Sequence, residues 1–428
     1  MDIKPTVFLA LISLFASADA LAQASSAASA GAEQVVRTTG TSSTPLPGPS
    51  PMAPLPVRLP IVDANGNEIF VEVRINTNVR ALEREWIMLL NADQRQMLMR
   101  ESPVLMQFLQ ETLSFATLNS FLLRFRVPVE LDTESAILQL IPEPLRPFID
   151  RNHVYSTQAG PGPQTSLLPV PMTSVCQNRV SVGMIDSSIR ADHPAFSSAS
   201  HRPTLVTRAF VDQGLVETSG HGTAVAGVMI GKGPGLEPLL PNATIYGASV
   251  VYSQDAYNQG ATVIHLLEAL DWLVVEPSLQ VINISMTGPA NRLLQQAIAG
   301  AQQHGKVIVA AAGNEGPFAQ PLYPAAYEGV IGVSAVAVDG SVYRWANQGD
   351  YIDFAAFGVS VPTARADGSI GRESGTSMAA PVVSAFLACE LEREQGDVTR
   401  ALQNLRARAL DLGVRGRDPV YGYGVLHP

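Results

Sequence analysis

The sequence predicts an α/β fold with a mostly parallel central sheet and helices on both faces, preceded by a smaller α+β domain. Three observations predict it. From about residue 180 onward, short runs that are apolar throughout alternate with stretches of helical length and spacing. Strands without polar alternation are buried on both faces, the condition of a parallel sheet covered by helices. Two stretches rich in Pro, Gly and Ser divide the chain before that point, and such composition reads as linker. Hydrophobic residues make up 46% of the 428 positions and charged residues 15%. That is ample apolar material for cores, in a chain too long for one ordinary core.

The segments follow in order. Lys4, the apolar run Val7 to Ala16 and the small residues around Ala20-Leu21-Ala22 have the layout of a secretory signal over 1–22, cut after Ala22. The run is too short to span a bilayer as an anchor, so export to the periplasm or extracellular medium is expected, with no membrane partner. Residues 23–57 are rich in Ser, Ala and Pro and cannot bury a core. Patterning turns globular over 58–155. Ile69 to Ile75 alternates like a strand, and Arg80 to Leu109 carries apolar residues at helical spacing up to Pro103. Ser120 to Val127 reads as a strand, Asp132 as an N-cap, and Pro147 to Tyr155 as a closing strand. Residues 156–173 form a second linker, and 174–428 the α/β domain. There the strands are expected near Val180–Ile185, Thr244–Val251, Val281–Ser285, Lys306–Ala312 and Val330–Ala337. The helices are expected near His221–Ile230, Ala261–Val275 and Asn291–His304.

A net charge of -10 without a long basic run excludes nucleic acid and anionic lipid as natural partners. The chemistry lies elsewhere. Asp186 ends a buried strand, where a carboxylate is costly unless hydrogen-bonded. His221 opens a helix among Gly220, Gly222 and Thr223. Ser377 opens another helix within Gly375-Thr376-Ser377-Met378-Ala379-Ala380-Pro381. A helix start presents unsatisfied N–H groups and partial positive charge to a developing oxyanion. Asn314 follows the apolar run Val307 to Ala312 and could donate to the same oxyanion. Taken singly, Asp186 and Asn314 are turn residues, His221 a core histidine and Ser377 a helix cap. Taken together, they suggest one hydrolytic site. The order Asp, His, Ser is informative because unrelated serine hydrolases carry their triads in different orders.

At these residues the chain resembles the subtilisin-like serine peptidases, from about Ser174 to Pro428. The resemblance implies Ser377 as nucleophile, His221 as general base, Asp186 as its orienting carboxylate, and Asn314 with the Ser377 N–H as oxyanion donors. It implies that Ser285, Met286, Thr287 and Gly288 pair with an extended polypeptide substrate. Ala311, Ala312 and Gly313 would wall the pocket before the scissile bond, with Ala325 at its floor. Three departures stand out. Ser188 occupies a place usually filled by Gly. Thr287 does the same beside the substrate strand. The loop after the His221 helix lacks the acidic residues of calcium-binding members, so no metal and no cofactor is expected. Sedolisins share the Gly-Thr-Ser start but use Glu as base and Asp at the oxyanion, so His221 and Asn314 imply work near neutral pH.

By the same resemblance, 58–155 is an inhibitory, folding-assisting pro-region, with self-cleavage near Tyr155–Ser156. The expected partners are thus a polypeptide substrate and the chain's own pro-region, in a monomer. Cys176 and Cys389 would both lie away from the catalytic face, which permits a disulfide without requiring one. A catalytically impaired relative that only binds polypeptide is the competing function. An esterase is disfavoured because Ser377 lacks a Gly-x-Ser-x-Gly elbow.

Overall fold

In the computed structural model, residues 55–115, 118–157, 170–197, 203–255 and 258–428 are described. The expected signal segment, nearly all of linker 23–57, and residues 158–169 of the second linker lie outside them. Among the described residues, eight strands form a wholly parallel sheet. Its order is Val425–Leu426, Ile352–Phe357, Ile331–Val336, Val307–Ala311, Leu279–Ile284, Ser181–Asp186, Thr244–Ser249 and Thr204–Ala209. The apolar runs are explained by two cores, one per face. Val309 and Ala311 point into one, with Val182 and Met184. Ile308 and Ala310 point into the other, with Ile185 and Ile282. The helices Gly220–Ile230 and Thr376–Arg393 cover the first face. Val263–Val274 and Arg292–Gln303 cover the second. The five expected strands and three expected helices of this region are all present. The strands Thr204–Ala209 and Ile352–Phe357 were not anticipated.

A second sheet is antiparallel and mixes segments far apart in the chain. Its main path runs Arg58–Val62, Glu68–Asn76, Val79–Leu90, Ile149–Thr157, Gln259–Thr262 and Tyr252–Ser253. Ser120–Arg126 and Leu109–Phe115 extend it from Val79–Leu90, and Met286–Thr287 pairs with Ile149–Thr157. Contacts gather the described residues into one compact unit.

Two local expectations are corrected here. Val79–Leu90 is a strand, not helix; the helix is the shorter Ala92–Glu101, capped by Asn91. The strand is buried on both sides. Trp86, Met88 and Leu90 enter the core of the N-terminal segment, while Ile87 and Leu89 face the parallel-sheet side. A run buried on both faces has no period of two to read. The helix Glu134–Gln139 is capped by Thr133, whose Oγ1 accepts the Ala136 N–H at 3.2 Å. Asp132 is drawn away to Arg151 (2.8 Å) and the Trp86 indole N–H (3.1 Å).

Candidate active site

Asp186 is the last residue of Ser181–Asp186 and is fully buried. Its Oδ1 accepts the Ser187 N–H at 2.6 Å. Both carboxylate oxygens face His221, with Nδ1 at 2.8 Å from Oδ1 and 3.0 Å from Oδ2. This approach depends on Gly222. A Cβ there would stand 2.1 Å from the Ser187 carbonyl oxygen, so only glycine lets the His221 helix press onto the Asp turn. The Gly222 N–H donates to Ser187 Oγ at 2.7 Å, which pins the turn. Ser188 donates its N–H to the Thr218 carbonyl and is not among the residues with positive φ. A serine therefore fits there without backbone strain.

Electrostatics at His221 are a contest. Burial pulls its pKa down. The charge and hydrogen bond of Asp186, helped by the field of Glu373, more than offset this, and the net shift is upward from the ordinary 6.5.

Ser377 is the second residue of Thr376–Arg393. Its Oγ–H donates to the Ser285 carbonyl at 3.1 Å, and Ser285 Oγ donates back to the Ser377 carbonyl at 3.2 Å. His221 Nε2 is buried with no hydrogen-bond partner. Ser285 is itself held by Asn283 Nδ2 (2.9 Å), and Asn283 by Ser384 Oγ (3.0 Å). Asn314 Oδ1 accepts both the N–H (3.0 Å) and Oγ1–H (3.1 Å) of Thr376, which fixes its amide plane against the start of the Ser377 helix. Sequence reasoning passed over Asn283, Ser384 and Thr376. Only their contacts mark them: Thr376 at a helix start reads as a cap, while Asn283 inside the strand Leu279–Ile284 and Ser384 in mid-helix carry no local signal.

The structure thus gathers Asp186, His221, Ser377, Asn314 and Ser285 at the carboxyl ends of parallel strands, where open α/β sheets place their ligands. Ala311, Ala312 and Ala325 are buried, and the Gly313 N–H is tied to Thr376 Oγ1 at 3.1 Å. Met286–Thr287 forms one edge of a groove and Gln259–Thr262 the other. The strand Ile149–Thr157 lies between them, with Tyr155 opposite Ala261, Ser156 opposite Thr287 and Thr157 opposite Met286. Thr287 Oγ1 is buried without a partner. Gly288 makes room for the Tyr155 ring, since a Cβ there would come within 2.5 Å of it. The Tyr155 hydroxyl donates to the Pro289 carbonyl at 2.6 Å. Among the described residues, no group of three or more His, Cys, Asp or Glu could hold a metal ion.

The family model of the subtilase family matches residues 177–424. The chain belongs to that family. Subtilases are serine-type peptidases, so the protein is classed with the hydrolases. Similar proteins include the minor extracellular protease Epr of Bacillus subtilis, 29% identical over 58% of this chain and 37% of that protein. The chain therefore spans little more than a third of that relative's length. Subtilisin DY of Bacillus licheniformis is 31% identical over 58% of this chain and 89% of its own. Among solved structures, the prenylagaramide maturation protease PagA aligns with a TM-score of 0.49 and 25% identity, covering 58% of this chain and 90% of that one.

Cys176 and Cys389 form a disulfide, with Cα atoms 6.1 Å apart. The sequence had left this open. Among the described residues, no helix is long and apolar enough to cross a membrane.

Proposed function

We propose that this subtilase is an exported endopeptidase, held latent by residues 58–155 until it cuts that segment from itself. Ser377 is the nucleophile and His221 the general base. Asp186 fixes the imidazole tautomer and stabilises the imidazolium. Asn314 and the Ser377 N–H receive the oxyanion. The active unit is a monomer acting on extended polypeptide.

One observation carries the latency. Ile149–Thr157 occupies the groove between Gln259–Thr262 and Met286–Thr287 as an added strand, the mode by which extended peptides are bound through their backbone. The same strand supports the surrounding fold. Asp150 Oδ2 accepts the Arg292 N–H at 2.9 Å, and Asn152 Oδ1 accepts the Ile264 N–H at 3.3 Å. These are first-turn donors of Arg292–Gln303 and Val263–Val274, groups a helix cannot satisfy itself.

The register favours a cut later than Tyr155–Ser156. Tyr155 is fully buried beside Gly288, and Thr157 is already opposite Met286. The next residue of that edge is Ser285, whose carbonyl accepts Ser377 Oγ–H. A cut beyond Thr157, within 158–169, fits this spacing. Export is supported by the pattern of residues 1–22 and by the relative named an extracellular protease.

N-terminal sequencing of the exported protein, beside its Ser377→Ala form, tests the reading. The variant should keep residues 58–155 attached, while the parent loses them. Normal maturation of Ser377→Ala would rule out self-cleavage. Labelling by a fluorophosphonate separates this reading from that of a silent binding protein. Ser188, free of backbone strain, removes one reason for the silent alternative.

A further inference from the structure

Outside the groove, the N-terminal segment carries a second attachment. The hairpin of Arg58–Val62 and Glu68–Asn76 sits at the end of the antiparallel sheet, separated from Ile149–Thr157 by Val79–Leu90. Its Glu72 side chain is completely buried. The carboxylate accepts Tyr252 Oη–H at 2.8 Å, and Gln254 Nε2 at 2.7 Å from each oxygen. Both donors belong to the peptidase part. The counter-charge comes from the hairpin's own neighbour, with Arg80 Nε at 2.9 Å. Phe70 packs edge-on against the Tyr252 ring, with centroids 5.4 Å apart, beside Ile61, Leu82 and Val154.

We propose that Glu72 is a latch that retains the N-terminal segment after its covalent link is cut. This rests on the reading of residues 58–155 as a self-cleaved inhibitor and goes beyond it by assigning retention to one contact outside the groove. The physical argument concerns desolvation. A buried carboxylate with four short hydrogen bonds is stable only while every donor stays in place. Cutting a bond beyond Thr157 disturbs none of them. Separating the two parts exchanges the Tyr252 hydroxyl and Gln254 amide for water at Glu72 and gives up the net gain of hydrogen bonds to a charged group. The latch does not enter the groove, so it governs how long the segment stays, not how fast the bond is cut.

The test uses the full chain. Cleavage is followed on denaturing gels, co-elution of the two pieces by size exclusion, and the onset of peptide turnover in the same preparation. The parent should cut itself, its pieces should co-elute, and turnover should lag behind cleavage. In Glu72→Gln, cleavage should keep its rate while dissociation and onset come at least about tenfold sooner, as expected when hydrogen bonds to a charged group are lost. Should Glu72→Gln impair folding of the segment, the double variant Tyr252→Phe with Gln254→Ala loosens the same latch from the peptidase side and should also hasten dissociation. Unchanged dissociation in both variants, with cleavage and lag intact, overturns the latch alone. A parent chain that never cuts itself, or that is fully active while the segment co-elutes, overturns both the latch and the inhibitor reading.

Discussion

The hydroxyl of Ser377 is turned to the carbonyl of Ser285, 3.1 Å away, while Nε2 of His221 is buried without a partner. The Asp186–His221 half of the relay is assembled at 2.8 Å, and the His221–Ser377 half is not. Ser285 O lies at the edge that pairs with an extended chain, so a substrate N–H delivered there competes with Ser377 for it. Losing that acceptor turns Ser377 Oγ–H toward His221. Peptides N-methylated at the residue just before the scissile bond should therefore fall in kcat/KM by about tenfold or more, the worth of one buried hydrogen bond. Equal turnover of methylated and parent peptides would refute this.

Asp186→Asn preserves shape but removes the charge that stabilises the imidazolium. Turnover should drop roughly 10³–10⁴-fold with little change in KM, as found when triad carboxylates are neutralised. The pH profile of the variant should also lose the upward shift at His221.

Asn314→Leu should lower kcat by roughly 10²–10³ and leave KM nearly unchanged, because an oxyanion donor acts only in the transition state. Thr376→Val, which removes a holder of Asn314 Oδ1, should produce a smaller loss of the same kind. A rise in KM alone would assign both residues to ground-state binding.

Gly222→Ala puts a methyl group 2.1 Å from the Ser187 carbonyl oxygen. Either the helix backs away or the turn opens, at a cost of about 1–3 kcal/mol. Both routes lengthen the Asp186–His221 contact. The variant should melt lower than the parent and lose more activity than its stability loss explains, measured at a temperature where both are folded.

As the proposed base, His221 must be neutral to accept the Ser377 proton. With its pKa raised above 6.5, His221 is protonated and idle below that pKa. Activity is gained as pH climbs through it. The acid limb of kcat/KM should thus fall above the ordinary imidazole value, and a rate maximum in strongly acidic buffer would contradict the assignment.

The Cys176–Cys389 bridge spans a sequence separation of 213 residues. Replacing both cysteines by Ala should destabilise the peptidase by about 2–5 kcal/mol. Denaturant midpoints with and without the bridge measure it.

Much of this protein was legible in one dimension. The motifs around Asp186, His221, Asn314 and Ser377 announce themselves through glycines and apolar runs, because strand ends and helix starts impose local composition. The parallel sheet was legible for the same reason, since burial on both faces leaves uninterrupted runs such as Val307 to Ala312. Burial misled within Val79–Leu90, where the stretch Trp86 to Leu90 between two cores has no polar beat.

What the sequence determined by itself was the family, the α/β order and the candidates for the catalytic side chains, all properties carried by near neighbours in the chain. What only the tertiary structure decided was set by approach across long separations. Gly222 against Ser187, Cys176 against Cys389, Ile149–Thr157 in the groove and Glu72 under Tyr252 are contacts of this kind. Distances between segments depend on how whole elements pack, and packing belongs to the folded volume, not to any window of residues.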